Sequence, residues 1–360
     1  MTGFKRILIL QTAFPGDIIL TTPLFRNIKK LYPESRLTVV TTPQGKELLQ
    51  GSSEIDSLIT YDKKGRDKGL FKFLDFAKRL RNEKFDLALS PHLSFRTSCL
   101  INLSGSPVRI GYEEASCAFL YTDKVKRDMA KHEADRILSL LEPLHVDSAK
   151  LKKFPRLHIS AESRRKVSKL LEKEGIVEED TLVCIAPGSV WGTKRWLPEG
   201  YAELSDGLAN RYGVRVMLIG SPAERESGDK ILTLAQTGPV DMIGKTALSE
   251  LGALISRCAL LIGNDSAPGH VAAATGVPAV TIFGPTSPSF GYAPWGRKVE
   301  IVERELDCRP CHHHGPMVCP KEHFQCMRDI SADEVMEAVD RLKVILPRKH
   351  GRMGARKKGF

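Results

Sequence analysis

The 360-residue sequence contains no apolar stretch of eighteen residues or more, so nothing in it reads as a transmembrane helix. It also shows no signal-peptide pattern. MTGFKRILIL runs straight into a strand-like segment, with neither a long apolar region nor a small-residue cleavage site, and a cytoplasmic location is expected. No Asp-x-Asp pair occurs, which leaves a Mg²⁺ ion bridging phosphates without its usual carboxylates. There is no internal repeat and no low-complexity stretch. Eight cysteines in so long a chain do not make a disulfide scaffold. Cys99, Cys117, Cys184 and Cys258 stand scattered in apolar or helical contexts and read as core or near-core thiols.

Acid is in deficit: 54 Lys and Arg against 43 Asp and Glu give a formal charge of +11. Such a balance favours an anionic substrate, an anionic membrane surface or nucleic acid without choosing among them. Part of the excess lies in PRKHGRMGARKKGF (347–360), a basic segment without acids that is expected to be disordered.

Short β-branched runs alternate with helical stretches twice over. RILIL, Arg36–Val40, Ser57–Tyr61 and Phe85–Ser90 form the first set, with helices at Leu20–Leu31, Gln44–Leu49 and Phe71–Arg81. After a charged helix near Ala161–Glu174 the pattern restarts at Leu182–Gly188, Val214–Ser221, Val240–Gly244, Leu260–Asp265 and Pro278–Gly284. Runs apolar throughout and joined by helices imply parallel sheets covered on both faces. The expectation is an α/β chain of two Rossmann-like, doubly wound domains, residues 1–172 and 173–330, facing a cleft. A final helix over 331–346 opens with the capping-box pattern Ser331-x-x-Glu334. Ligands of such folds sit outside the carboxyl ends of the strands, where Asp17, Ser189, Gly220 and Asp265 fall.

Four segments carry chemistry. In GNDSAPGHVAAATGVPAVTIFGPTSP, Asp265 and Ser266 end a buried strand and open a small-residue helix whose N-terminus suits a diphosphate; Gly269 would let the phosphate approach the backbone. An ordinary turn with Asp265 or Ser266 as cap is the plain alternative. In APGSVWGTKRWLPEGYAEL, Ser189, Thr193 and Lys194-Arg195 follow a strand end, where cations neutralise a leaving diphosphate. In LIGSPAERE, Glu224 could accept ribose hydroxyls or serve only as a first-turn acid. In FPGDIILTTPL, Gly16-Asp17 stands where a strand hands over to a helix.

All of these but LIGSPAERE resemble segments of the bacterial lipopolysaccharide heptosyltransferases of glycosyltransferase family 9; the likeness runs over about Lys5 to Leu346, and the Cys-rich segment before the last helix looks most like their heptosyltransferase II branch. The resemblance implies a GT-B architecture. The second domain would hold ADP-heptose, the first a lipid A-linked inner-core acceptor, and the last helix (331–346) would cross back onto the first domain. It implies an inverting, metal-independent transfer with Asp17 as base and Lys194 on the sugar nucleotide. Ser189, Thr193, Glu224, Thr246, Asp265, Ser266, Gly269 and His270 would line the donor site. No cofactor is required, and the partners are the two substrates and the inner face of the bacterial inner membrane. At a helix N-terminus Asp17 is expected to stay ionised and to be a weak base. Gly16, Arg26 and Arg96 are candidates for the acceptor side, as are Lys29 and Lys30; the four cations could instead be solvated helix faces. A family member with another donor or acceptor would keep most of these motifs.

CRPCHHHGPMVCPKEHFQC places Cys308, Cys311, Cys319 and Cys326 among four histidines. Structural zinc, two disulfides and free thiols all fit that spacing, and the transfer is expected not to need the cluster. A zinc-containing nucleic-acid binder is the reading from another class; it lacks a reading helix or stacking motif, and it leaves two paired Rossmann-like halves without a purpose.

Overall fold

A computed structural model describes residues 3–347, so the basic segment beyond Pro347 lies outside the described residues. The first domain carries β1 (Arg6–Gln11), β2 (Arg36–Thr41), β3 (Ser57–Thr60), β4 (Leu87–Leu89), β5 (Val108–Tyr112) and β6 (Asp123–Val125). Its helices are α1 (Pro15–Leu31), α2 (Pro43–Leu49), α3 (Leu70–Asn82), α4 (Phe95–Leu103) and α5 (Glu133–Ser139). The second carries β7 (Leu182–Ala186), β8 (Arg215–Leu218), β9 (Val240–Asp241), β10 (Leu260–Asn264), β11 (Ala279–Phe283) and β12 (Val299–Glu303). With it go α6 (Ala161–Lys173), α7 (Pro198–Tyr212), α8 (Arg225–Leu234), α9 (Leu248–Ser256), α10 (Ala267–Thr275), α11 (Gln325–Arg328) and α12 (Ala332–Leu342).

Both six-stranded sheets are parallel throughout and share one order: β3-β2-β1-β4-β5-β6 and β9-β8-β7-β10-β11-β12. That is the 3-2-1-4-5-6 order of dinucleotide-binding folds, whose direction reverses between the first and fourth strands. The central strands show why. In β1, Ile7 and Ile9 enter the core on one face while Leu8 and Leu10 enter the core on the other. β7 divides likewise, Val183 and Ile185 against Leu182, Cys184 and Ala186. Each such fully buried side chain contributes roughly 1.5–3 kcal/mol, so a strand apolar on both faces is stable only when helices cover both.

The two domains meet where α1 and α2 pack on α10 and α9, and Ile19 and Leu48 share an apolar cluster with Leu254, Val271 and Ala272. On another flank the segment after β6 clasps residues 291–295. The Glu133 N–H donates to the Gly291 carbonyl at 2.8 Å, and the His132 ring stacks on Trp295 with centroids 4.0 Å apart.

Two expectations are corrected. The last helix does not cross back onto the first domain. Val335, Met336, Ala338 and Val339 of α12 share a cluster with Val183, Leu204 and Leu208, and Asp340 takes the Tyr212 hydroxyl at 2.6 Å. An amphipathic helix settles on the nearest uncovered apolar surface, here β12 and α7. Its capping box does form, the Ser331 N–H reaching Glu334 Oε2 at 2.9 Å, but the helix stops at Leu342 rather than 346, where Lys343 turns left-handed. The first boundary also moves. α6 packs on α9, with Val167 and Leu171 in the second domain's core, so the chain changes domain before Ala161 rather than at 172.

Candidate active site

The carboxyl ends of β1, β7 and β10 converge on the cleft. α1 begins at Pro15 and places Asp17 in its first turn, where Asp17 Oδ2 accepts the Phe14 N–H at 3.2 Å. Burial, with the Glu133 carboxylate behind it, pushes the Asp17 carboxyl up to about 6, against the Phe14 N–H and the Arg127 guanidinium. The sequence reading made Asp17 a weak base held ionised by the helix; the structure makes it a stronger one, because desolvation in the cleft outweighs the helix N-terminus. Arg127 and Arg136 both hold Glu133, Arg136 Nη1 at 3.1 Å, and Arg127 Nη2 also donates to the Tyr292 hydroxyl of the other domain at 2.7 Å. Nothing in the sequence pattern pointed to Glu133 or Arg127, which are near Asp17 only through the tertiary fold.

Gly16 lies directly against the second domain: a Cβ there would stand 3.0 Å from Cδ2 of His270. His270 is buried in α10, its Nδ1 has no partner among the described residues, and burial pushes it down to about 4, so it is neutral near pH 7.

The loop after β7 brings Lys194 Nζ to Asp265 Oδ2 at 2.5 Å, and Thr286 donates to the same oxygen at 2.8 Å. Asn264, not singled out from sequence, sets this loop. Its Oδ1 accepts the Trp196 N–H at 3.0 Å and the Tyr201 hydroxyl at 2.8 Å, and its Nδ2 donates to the Pro187 carbonyl at 2.7 Å. A polar side chain ending an otherwise apolar strand was the available signal. Ser189 is buried beside it, and Arg195 Nε donates to the Ser189 carbonyl at 2.8 Å. Ser266 precedes α10 with its hydroxyl buried and unpartnered among the described residues, next to the open N–H groups of the first turn.

Other expectations change role. A Cβ on Gly269 would meet Pro294 Cγ at 2.9 Å, so that glycine lets α10 pack on the 291–295 loop rather than admitting a phosphate. Glu224 stays at the strand ends and caps its own turn as well: its Oε2 takes the Ser221 N–H at 2.6 Å, and its Oε1 lies against Gly188, where there is no room for a Cβ. Thr246 follows β9 at the sheet's edge. Arg26 sits well along α1 and donates to the Phe154 carbonyl at 3.2 Å, Lys29 reaches Asp56 at 2.9 Å, and Lys30 the Lys150 carbonyl at 3.2 Å. These three tie down neighbouring chain away from the strand ends, because they lie two or more turns past Asp17. Arg96 does remain at the cleft side, donating to the Tyr61 hydroxyl at 2.9 Å. Beside it, His92 after β4 and Lys63, which reaches the Thr12 carbonyl at 3.1 Å, are better placed than Arg26.

The Cys/His segment is not apart from the site. Both the N–H and the hydroxyl of Thr193 donate to the Pro316 carbonyl, and a Cβ on Gly315 would stand 3.2 Å from Lys194 Cγ. The His314 ring is 6.0 Å from Trp191 and 6.1 Å from Phe14, spanning both domains. Of the three readings of these residues, structural zinc does not fit their placement: among the described residues no three His, Cys, Asp or Glu side chains are placed to hold a metal ion. Cys311 Sγ points instead to the Cys308 carbonyl at 3.0 Å, all eight cysteines are free, and burial pushes the Cys326 thiol up to about 11. A loop packed onto Lys194 is also no detached nucleic-acid module.

The family model described as glycosyltransferase family 9 (heptosyltransferase) matches residues 73–321. The chain is 30% identical over 285 residues to the lipopolysaccharide core heptosyltransferase OpsX of Haemophilus influenzae, covering 78% of this chain and 79% of that one. A crystal structure of a family 9 glycosyl transferase from Veillonella parvula superposes with a TM-score of 0.85 at 27% identity, over 95% of this chain and 98% of the other. The E. coli ADP-heptose lipopolysaccharide heptosyltransferase II shares the fold, with a TM-score of 0.76 at 23% identity over 94% and 98% of the two chains.

Proposed function

The chain belongs to glycosyltransferase family 9 and is a heptosyltransferase of lipopolysaccharide core synthesis; from that premise we propose its donor, its stereochemistry and its base. The donor is ADP-L-glycero-D-manno-heptose and the acceptor a lipid A-linked inner core, met at the inner face of the bacterial inner membrane by a peripheral enzyme. The observation that carries this reading is the pairing across one cleft of a raised carboxyl, Asp17, with the Lys194–Asp265 couple at the opposite strand ends. The E. coli protein of the same fold is described as using ADP-heptose, which supports the donor.

The acceptor hydroxyl attacks the anomeric carbon on the face opposite the diphosphate, and its proton passes to Asp17. The anomeric carbon–oxygen bond breaks with its electron pair going to ADP. Lys194, Arg195 and the N-terminus of α10 receive that charge without a metal, and Ser266 and Ser189 supply hydroxyls beside it. A single displacement inverts the anomeric centre. ADP release from ADP-heptose, measured with inner-core acceptor in the presence of a chelator, tests the donor and the metal independence together. The configuration of the product linkage, read by NMR, tests inversion; a retained configuration overturns the single displacement.

Two further results are expected. Glu224→Gln raises KM for ADP-heptose about tenfold with kcat nearly unchanged, because one charged acceptor for ribose is lost in ground and transition state alike. An unchanged KM reduces Glu224 to the cap of its own turn. The pH profile of kcat/KM has an acid limb with a midpoint near 6, set by Asp17, below which rate falls tenfold per pH unit. His270, held near 4, stays neutral through that window and does not set the limb. A midpoint near the ordinary Asp value of 3.8 would disconnect the limb from this carboxyl.

A further inference from the structure

The first domain carries an apolar ridge at its cleft edge that the transfer chemistry does not use. α3 buries Phe76, Ala77 and Leu80 inward, yet its first turns show solvent Leu70 (67% exposed), Phe71 (88%) and Leu74. α4 packs on α3 and opens with Phe95 (62%), and the turn at Ala118–Leu120, packed on α4, shows Phe119 (78%). All follow the carboxyl ends of their strands, β3, β4 and β5, so they share the edge of the sheet where Asp17 sits. Residues 62–79 hold seven basic residues against three acidic ones. The acids are engaged, Asp67 and Asp75 by Arg79 and Asp62 by the turn it closes, whereas Lys64, Lys68, Lys72 and Lys78 have no side-chain partner among the described residues.

We propose that the Leu70–Phe71–Leu74 ridge and its lysines dock the enzyme on an anionic lipid surface, presenting the cleft edge to the headgroups. This rests on the reading of the acceptor as lipid-linked. An exposed apolar ridge beside unpaired lysines matches the acyl boundary and the negative headgroups together. A second copy is disfavoured as occupant, since an isologous contact sets the same lysines against one another.

Sedimentation of the intact protein with sucrose-loaded vesicles tests this. Binding to phosphatidylcholine vesicles containing one third phosphatidylglycerol is expected to exceed binding to pure phosphatidylcholine more than tenfold and to weaken in 0.5 M salt. The triple variant Leu70→Ser, Phe71→Ser, Leu74→Ser and the charge variant Lys64→Glu, Lys68→Glu, Lys72→Glu should each lose at least tenfold. Every variant keeps the basic segment beyond Pro347, so its contribution cancels. Turnover on a deacylated, water-soluble acceptor should be unchanged in both, while turnover on acceptor embedded in vesicles falls. Undiminished vesicle binding by both variants, or no binding by the wild type, overturns the proposal. So does loss of turnover on the soluble acceptor, which would make the ridge part of the sugar site, or a concentration-dependent dimer that the triple variant abolishes. Vesicle binding by a wild type inactive with ADP-heptose would sink the donor assignment and leave the docking surface standing.

Discussion

Asp17→Asn is expected to lower kcat by about two to four orders of magnitude while ADP binding survives. Asn keeps the volume and can still accept the Phe14 N–H, so the start of α1 should hold. What it cannot do is take the proton of the attacking hydroxyl. The same substitution should raise stability. With its folded value near 6 and its ordinary value 3.8, Asp17 binds its proton more tightly in the folded chain. Its contribution is therefore favourable below 3.8 and is lost as pH rises through 6, so near pH 7 the ionised carboxylate weighs against folding. A shift of about two units sets a ceiling of ~3 kcal/mol, and partial solvent access reduces that to ~1 kcal/mol. Asp17→Asn should accordingly melt higher than wild type at pH 8 and equal to it near pH 3.5. Wild-type turnover in the variant would leave Asp17 as a cap alone; a lower melting temperature at pH 8 would contradict the burial argument.

Lys194→Ala is expected to fail in two ways at once. Losing the cation that meets the leaving diphosphate costs about 10²–10³ in kcat. It also leaves Asp265, held among the described residues only by the Thr286 hydroxyl at 2.8 Å, as an unneutralised carboxylate beside the donor's phosphates. KM for ADP-heptose should rise at least tenfold, and the fold should lose about 3 kcal/mol. The double variant Lys194→Ala, Asp265→Asn separates the two effects. Removing the stranded charge should restore KM and most of the melting temperature and leave kcat low. Recovery of kcat in the double variant would show that Lys194 serves Asp265 and not the leaving group.

The central strands were legible because a strand covered on both faces is apolar throughout, and β1, β2, β7, β10 and β11 announce themselves that way. β5, β6 and β12 did not: the edge strands DKV and VEIVE, and VRIGY one place in from the edge, mix charge into half-covered positions. Asp17, Lys194, Asp265 and Ser266 were legible for a related reason: in a parallel α/β chain the residues after each strand are bound to share one edge. Gly269 was misread because the sequence says that a glycine is there but not what stands over it. Arg26 was misread because helix spacing places it on α1 without saying which chain crosses its face.

By itself the sequence determined the class of fold, two doubly wound halves, and the set of strand ends from which a site must be built, since periodicity and strand-end position are local properties. Only the tertiary structure decided which groups face Asp17. Glu133 and Arg127 lie more than a hundred residues from it, His270 comes from the other domain, and the pressure that raises Asp17 is burial, a property of the closed cleft. The same holds for α12, for the Cys/His loop on Lys194 and for the apolar ridge of α3. Each depends on which surface is left uncovered after everything else has packed, and that is a sum over the whole molecule rather than a feature of any stretch of it.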